Sequence, residues 1–464
     1  MAQNRQDMGS GPVKPLLLQL MIPAVVAQVV NLLYNIVDRI YIGHIEGIGA
    51  AALTGVGLFA PILMLLNAFA MLIGAGGAPR TAIALGQGNK DEAEKIIGNS
   101  FTVLLFFAVV LTAGFYAGAP ALLRLFGASD ATLPYAVAYG RIYILGSVFV
   151  LLVMGMNPFI TTQGFAKISM LTTVIGAVIN IILDPIFIFP CGWGMMGAAV
   201  ATVIGQLVTA ALAVWYLLHM KIIRPEKGDY RLKGSICGRT LTLGMTSFLS
   251  QISLVAAMAA INNMIRKYGA LDAVFGQEQY AQIPMAVVGI VMKFFQIVIS
   301  IVVGMAAGCI PVVGFNMGAK KPDRVKELFT RLLLAEATVG AVALVLVELL
   351  PRQLIALFGA ANESVYYTDF AVKSFRIYLC MIILACVNKA CFIFLQAMGK
   401  AAESTALSMV REVVFGVGFA LLLPRFFGLD GVLYSMPMSD ILTFLIAGYL
   451  ICKTYRELST KGEV

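Results

Sequence analysis

The chain has 464 residues, of which 60% are hydrophobic and 12% are charged. Soluble domains carry about 25% charged residues, so this composition excludes a water-soluble domain and indicates an all-α membrane protein. The net charge of +9 would suit a nucleic-acid partner, but the placement of the basic residues assigns it to membrane topology instead.

Twelve apolar stretches follow one another along the chain, with short polar breaks between them. Each is close to the ~20 residues that a helix needs to span a bilayer. The predicted spans are residues 16–42, 51–77, 96–118, 138–160, 168–190, 195–219, 240–264, 282–310, 328–350, 370–396, 404–426 and 431–452. The polar first residues lead directly into a full-length span, so we expect neither a cleavable signal peptide nor a sizeable aqueous domain.

Basic residues gather in the breaks on one side of the predicted spans, most densely at residues 220–239. Cytoplasmic loops of membrane proteins carry an excess of Lys and Arg. The pattern therefore predicts a multi-pass protein of the cell (inner) membrane with cytoplasmic N- and C-termini. We expect the lipid bilayer, and no nucleic acid, as its macromolecular surroundings.

Short sequences recur in the same order at a nearly constant offset, so the chain contains two copies of one unit. The tripeptide Arg-Ile-Tyr at 141–143 recurs at 376–378, and the loop 86–96 resembles 316–328. Each copy holds six spans, which predicts two like-oriented six-helix bundles related by a pseudo-two-fold axis along the membrane normal. The predicted organisation is an N-lobe at 1–219, a cytoplasmic basic linker at 220–239 and a C-lobe at 240–464. Two such bundles with a cleft between them favour a transporter over a receptor or structural protein.

Two carboxylates, Asp38 in the first span and Asp184 in the fifth, lie where charge is expensive. Intramembrane carboxylates are functional candidates by default. With a helical rise of ~1.5 Å per residue, both residues fall in the outer half of the first bundle together with Asn180 and Thr202. Such a group can share one proton between its carboxylates or ligate Na⁺. The alternative is that Asp38 only caps its helix and pairs with Arg39.

Three further residues of the first bundle are predicted to assist this group. Tyr139 lies near the start of the fourth span, and Pro23 and Pro185 lie within the first and fifth. Proline removes a backbone hydrogen bond and bends a helix, so the two prolines are candidate gating positions. The alternative is an ordinary packing kink, which membrane helices tolerate.

The second bundle carries a different set of intramembrane charges, among which Lys293 and Asp440 are predicted to form an ion pair. The roles of Glu336, Lys389, Arg411 and Glu412 are left open. Flexible Met side chains suit adaptable apolar binding, with ordinary packing as the alternative. The candidate substrate-cleft residues are Asn35, Met154, Met258, Met285, Met292 and Lys293.

Enzymatic chemistry finds no support in the sequence. The seven Cys and two His show no zinc-ligand spacing, and no phosphate-binding loop motif occurs. We therefore expect no catalytic residues and no cofactor, with an ion gradient as the energy source and H⁺ or Na⁺ as the coupling ion.

Three motifs resemble the multidrug and toxic compound extrusion (MATE) family of the multidrug/oligosaccharidyl-lipid/polysaccharide flippase superfamily. They are the Tyr-Asn-Ile-Val-Asp-Arg run at 34–39, the Gly-Ala-Pro-Arg loop at 77–80 with 85–89, and Asn-Ile-Ile-Leu-Asp-Pro at 180–185 followed by 197–202. The resemblance implies a V-shaped, two-lobed, twelve-helix exporter that antiports small cationic, amphiphilic drugs against H⁺ or Na⁺ and confers antibiotic resistance. We expect it to act as a monomer.

The family's N-lobe cation network maps onto Asp38, Asn180, Asp184 and Thr202, with Tyr139 nearby. Some members carry acidic residues in helices 7 and 10, where this chain has Asn262, Asn263, Asn388 and Lys389. That departure favours coupling through the first bundle. The alternative function is a flippase for lipid-linked saccharides, which would need basic residues for a pyrophosphate; the candidates are Lys293, Lys389 and Arg411.

Overall fold

The computed structural model describes residues 5–220, 222–358 and 364–462, and in these residues all regular structure is helical. This follows from the composition, because backbone groups in hydrocarbon must find hydrogen-bond partners within their own segment. The α-helices are α1 (Arg5–Ser10), α2 (Val13–Gly43), α3 (Gly49–Gly86), α4 (Lys90–Leu125), α5 (Leu133–Leu145), α6 (Ser147–Thr162), α7 (Ala166–Ile188), α8 (Met195–Leu218), α9 (Gly234–Ala270), α10 (Ile283–Gly318), α11 (Pro322–Leu349), α12 (Pro351–Phe358), α13 (Val365–Tyr378), α14 (Ile382–Ala397), α15 (Ala401–Met409), α16 (Gly418–Leu422), α17 (Pro424–Phe427) and α18 (Leu429–Gly462).

Ten helical segments of the described residues are long and apolar enough to cross a membrane. Two bent pairs, α5 with α6 and α13 with α14, raise the number to twelve if each pair is one span. The structure therefore agrees with the predicted all-α, twelve-span architecture, although several helices extend well beyond the predicted boundaries into polar sequence. The polar start of α4 shows why: Asn89 caps it by accepting a hydrogen bond from the backbone N–H of Glu92 at 3.2 Å.

The main bends lie at positions that the sequence analysis did not single out. The α5–α6 pair bends by 54° at Gly146, and the α13–α14 pair by 45° across residues 379–381. A Cβ on Gly146 would lie 2.6 Å from Val203, so close packing on α8 favours glycine there. In contrast, α2 and α7 continue through Pro23 and Pro185, and the gating role of these prolines stays a prediction.

Residues with positive φ occur at matching positions in the two copies of the internal repeat. Residues with positive φ open corresponding helices of the two copies: Gly88 (77°) precedes α4 and Lys320 (55°) precedes α11. Likewise Gly194 (57°) precedes α8, and Gly428 (65°) precedes α18. Left-handed φ is a restricted conformation for residues other than glycine, so its recurrence at matching places supports a common unit.

The chain divides into two compact units. Unit 1 contains Met1–Gln251, Gly308–Lys321 and Ala397–Gly399; unit 2 contains Ile252–Ala307, Pro322–Gln396 and Lys400–Val464. The predicted lobe and linker boundaries remain a prediction. Part of the predicted linker packs on α4: Asn99 accepts a hydrogen bond from the backbone N–H of Lys233 at 2.8 Å and donates one to the carbonyl of Asp229 at 3.2 Å. Position 221 lies outside the described residues.

Within unit 1, α3 packs closely against the last turns of α10 through a reciprocal glycine contact. A Cβ on Gly86 would overlap the carbonyl of Phe315, and a Cβ on Gly318 would overlap the carbonyl of Ile83. The two contacts are equivalent under the repeat, since both residue pairs are related by the offset that aligns Gly88 with Lys320. The two helices can therefore approach this closely because glycine has no side chain.

Unit 2 corrects the predicted pairing of Lys293 with Asp440. The carboxylate of Asp440 instead accepts hydrogen bonds from Arg411, with Oδ1 3.2 Å from Nε and 3.1 Å from Nη2. Arg411 also lies 3.4 Å from Glu412. Arg411 and Glu412 belong to a π-helical stretch, Val410–Val417, whereas Lys293 is exposed. Arg411 is the partner of Asp440 because the π-helical stretch packs against α18. The planar guanidinium also presents several N–H donors to one carboxylate.

The reciprocal glycine contact predicts a selective loss of stability. We expect Gly86→Ala and Gly318→Ala each to lower the free energy of unfolding by about 1–3 kcal/mol, because the new methyl group forces the helices apart. The matched control is Gly114→Ala in α4, where a Cβ meets nothing within 4 Å. Thermal unfolding in detergent measures the difference, and equal midpoints for all three variants would contradict the contact.

Candidate functional site

The predicted polar residues converge where α2, α7 and α8 meet in unit 1. Small residues allow the close approach of α7 and α8: a Cβ on Gly205 would lie 2.8 Å from the carbonyl of Gly176, and it would touch the Cβ of Asn180 at 3.4 Å. Helix α2 packs against both of these helices. The backbone thus brings side chains from three helices into one buried group.

Asp38, Asn180, Asp184 and Thr202, here called the polar cluster, are all buried. The carboxyl groups of Asp38 and Asp184 are electrostatic neighbours. Asn180 donates a hydrogen bond to the hydroxyl of Thr202 at 3.4 Å, and that hydroxyl donates to the carbonyl of Ala198 at 3.0 Å. The structure therefore brings together the four residues that were predicted from their depth.

The polar cluster contains more acceptors than donors. The oxygens Oδ1 of Asp38, Oδ1 of Asn180 and both carboxylate oxygens of Asp184 are buried and have no hydrogen-bond partner among the described residues. Buried polar groups are normally paired, so these oxygens are able to accept hydrogen bonds from a shared proton or water, or to ligate a cation. Arg39 is exposed and is an electrostatic neighbour of Asp38, but among the described residues the two form no ion pair within 4.0 Å; the alternative role of Asp38 stays open.

The donor set suits a hard cation. Carboxylate, amide and hydroxyl oxygens bind such ions, whereas transition metals favour imidazole or thiolate. Within the described ranges, no group of three or more His, Cys, Asp or Glu residues comes together. The residues present therefore fit H⁺ or Na⁺ rather than a resident transition metal.

Tyr34 and Gln206 also belong to this site, although the sequence analysis did not assign them a role. Gln206 donates a hydrogen bond to the hydroxyl of Tyr34 at 3.3 Å, which joins α8 to α2. Each lies four residues from a member of the polar cluster, Tyr34 before Asp38 and Gln206 after Thr202. Residues four apart share a helix face, so that spacing was the signal that could have found them.

Aromatic residues of α5 seal one side of the site. Tyr139 is buried, stacks on Tyr143 with a centroid distance of 6.1 Å and packs edge-on against Phe59 at 5.7 Å. Both tyrosines are electrostatic neighbours of Asp38. The predicted position of Tyr139 near the polar cluster agrees with this arrangement, and its role remains a prediction.

The candidate substrate residues lie in both units and pack largely against the core of their own unit. Met154 packs against the cores of unit 1, and Met285 and Met292 against that of unit 2. Met258 is half-buried. Asn35 is exposed and donates a hydrogen bond to the carbonyl of Asn31 at 2.8 Å. Their assignment to a substrate site stays a prediction, as does that of Lys293.

Sequence comparison identifies the family. The MatE family model matches residues 23–186 and 248–422. The chain belongs to the MatE family. The match includes the three polar-cluster residues Asp38, Asn180 and Asp184, while Thr202 lies outside it. The chain is therefore a multi-pass membrane protein of the family that its motifs predicted.

Individual relatives cover nearly the whole chain. The multidrug export protein MepA of Staphylococcus saprophyticus is 25% identical over 437 residues, covering 93% of this chain and 91% of its own. MepA of Staphylococcus aureus strain MSSA476 is 23% identical over 456 residues, covering 95% and 94%.

Solved structures confirm the fold over the full length. A multidrug resistance MATE family transporter of the MOP superfamily, in an outward-facing conformation, matches with a TM-score of 0.88 at 23% identity. A MOP superfamily transporter from Pyrococcus furiosus matches with a TM-score of 0.89 at 23% identity. Both matches cover 100% of each chain.

The Tyr34–Gln206 hydrogen bond predicts a measurable coupling between α2 and α8. In a double-mutant cycle of Tyr34→Phe and Gln206→Leu, we expect a coupling of about 0.5–1.5 kcal/mol, the usual net value of one hydrogen bond. The free energies of unfolding of the wild type, the two single variants and the double variant in detergent supply the cycle. Additive effects would show that the bond contributes nothing to stability.

Proposed function

We propose that this protein is a cation-coupled multidrug exporter, in which the polar cluster binds the coupling ion. The observation that carries the proposal is the burial of Asp38 and Asp184 as electrostatic neighbours, with acceptor oxygens that have no hydrogen-bond partner among the described residues. Membership in the MatE family and the MepA relatives, which are named multidrug export proteins, support the choice of drugs as cargo.

The coupling follows from the energetics of buried charge. Two adjacent carboxylates in a low-dielectric interior repel each other, so a proton or a cation between them stabilises the closed arrangement of α2 and α7. Loss of that ion restores the repulsion and favours separation of the two helices. Binding on the outside and release on the inside would then drive antiport of the drug by alternating access.

Both H⁺ and Na⁺ meet the chemical requirement of the site. A proton shared between Asp38 and Asp184 satisfies the carboxyl pair alone. Sodium would in addition use the free oxygen of Asn180 and the hydroxyl of Thr202, since hard cations take several oxygen ligands. The two ions therefore make different demands on Asn180 and Thr202, and this difference separates them by experiment.

The remaining attributes of the proposed exporter rest on the sequence and on the family resemblance. It is a transporter rather than an enzyme, with no cofactor besides the coupling ion. Its substrates are small cationic, amphiphilic molecules. It works as a monomer in the cell membrane, with both termini in the cytoplasm, as the distribution of basic residues indicates.

Two of the three basic residues that a flippase would use to bind a pyrophosphate already contact other side chains. Arg411 is engaged by Asp440 and Glu412. The ammonium of Lys389 lies over the ring of Phe392, 4.8 Å from its centroid. Of the three candidate pyrophosphate ligands in the described residues, this leaves Lys293 as an exposed cation, which is a poor complement for a doubly charged lipid-linked group.

Efflux of ethidium from energised cells tests the proposal. We expect the wild type to extrude the dye and Asp38→Asn to lose more than ten-fold in efflux rate, because an amide cannot exchange the coupling ion. Collapsing the H⁺ and Na⁺ gradients one at a time identifies the ion, and Thr202→Val should impair only Na⁺ coupling. Asp130→Asn is the matched control, since the side chain of Asp130 is fully exposed.

Each outcome of this experiment has a definite reading. Dye efflux that survives Asp38→Asn would remove the polar cluster from the mechanism. A wild type that moves no cationic dye, although it is present in the membrane, would overturn the multidrug assignment. Lys293→Ala tests the flippase alternative, because a flippase would depend on that cation whereas the exporter would not.

A further inference from the structure

A carboxyl group of unit 2 is buried, and no described residue forms a hydrogen bond with it. Glu336 lies near the middle of α11, and its side chain is 0% exposed. Neither of its carboxylate oxygens has a hydrogen-bond partner among the described residues. A charged carboxylate in such a place is very unfavourable, so the group is neutral in this arrangement and carries a proton.

The contacts of α11 place this carboxyl against the bent helix pair α13–α14. Gly340 lies one turn after Glu336 on the same face, and a Cβ there would lie 2.7 Å from the Cα of Ile383 and 3.4 Å from the sulfur of Cys386. Cys386 is an electrostatic neighbour of Glu336. The protonated carboxyl thus faces the start of α14, next to the 45° bend at residues 379–381.

The other titratable groups around Glu336 do not neutralise it. On α14 the neighbour is the thiol of Cys386, which is fully buried. On α18, which also packs against α11, Asp440 lies near the same thiol but is paired with Arg411. Lys389 of α14 is held over Phe392. No described cationic side chain therefore neutralises Glu336, and a bound proton would do so instead.

Packing alone does not require a carboxyl at this position. At the offset that aligns Gly88 with Lys320, Glu336 corresponds to Leu104 in the first copy. Leu104 is also fully buried, and it packs against Gly155 of α6, the counterpart of α14. An apolar side chain thus fills the equivalent space in unit 1, and the acid in unit 2 is an addition to the common frame.

We propose that Glu336 is a second proton-binding site of the transporter, which releases its proton when α14 moves away from α11. The bend supplies the hinge, because three-residue turns lie across it: the N–H of Cys380 donates to the carbonyl of Ile377 at 3.3 Å and that of Ile382 to the carbonyl of Leu379 at 3.2 Å. Separation of Ile383 and Cys386 from Gly340 would admit water to the carboxyl. The inference rests on the proposed export function and adds one proton to each cycle, whichever cation the polar cluster takes.

The test compares proton and dye transport in proteoliposomes that contain the purified full-length protein. We expect Glu336→Gln, which mimics the neutral acid, to export ethidium while moving one proton fewer per dye molecule than the wild type. Its transport rate should also vary less with pH. Glu348→Gln on the same helix is the matched control, because Glu348 is half-exposed.

The outcomes separate this inference from the proposed function. Equal proton counts and equal pH profiles for the wild type and Glu336→Gln overturn the inference, while loss of ethidium transport in Asp38→Asn still supports the exporter. If the wild type moves no ethidium, the proposed function fails first. Thermal unfolding in detergent establishes that each variant is folded.

A spectroscopic measurement covers the case in which Glu336→Gln does not fold. In a variant that combines Asp38→Asn with Asp184→Asn, infrared difference spectra should still show the carbonyl band of a buried protonated carboxyl. That band should change when the pH is raised or ethidium is added. A double variant without such a band overturns the assignment of a proton to Glu336.

Discussion

A carboxyl oxygen buried without a donor is the constraint on which the functional part of this structure depends. In an apolar bundle such a group must take up a proton, bind a cation or reach water. Asp38 and Asp184 are two neighbouring carboxyl groups under this constraint, and among the described residues the oxygen of Asn180 beside them also has no hydrogen-bond partner. In the proposed function, the site is stable only when an ion is bound, and this property would allow an ion gradient to drive a conformational change.

Close contacts between small residues set the distances between helices at that site and elsewhere in unit 1. Gly176 and Gly205 bring α7 and α8 together, which places Asn180 against Thr202. Gly86 and Gly318 do the same for α3 and α10, through contacts that are equivalent under the repeat. Helix association in membranes relies on such packing, because lipid offers no hydrophobic force to hold helices together. A methyl group at these positions is expected to cost more than the loss of a surface salt bridge.

The two halves of the chain share this frame but use it differently. The offset that aligns Gly164 with Gly399, both at positive φ, places Arg411 at the position of Gly176. The offset that aligns Gly194 with Gly428 places Asp440 at the position of Gln206. Where the first half has Gly176 and Gln206, the second half has an arginine and its carboxylate partner. The insertion coincides with the π-helical stretch Val410–Val417, and π-helical turns often mark functional positions.

The sequence by itself determined the architecture and the membership of the polar cluster. Hydropathy predicts the number of spans, because a segment that crosses hydrocarbon must satisfy its backbone hydrogen bonds internally. The helical rise per residue converts residue number into membrane depth, and depth alone was enough to group Asp38, Asn180, Asp184 and Thr202. Only the tertiary structure decided which neighbours those residues meet. The Lys293–Asp440 pairing was wrong and Arg411 took that place, because pairing depends on helix rotation as well as depth. The sequence did not predict the roles of Tyr34 and Gln206 or the isolation of Glu336 for the same reason. Whether a polar group has a partner depends on the packing between helices.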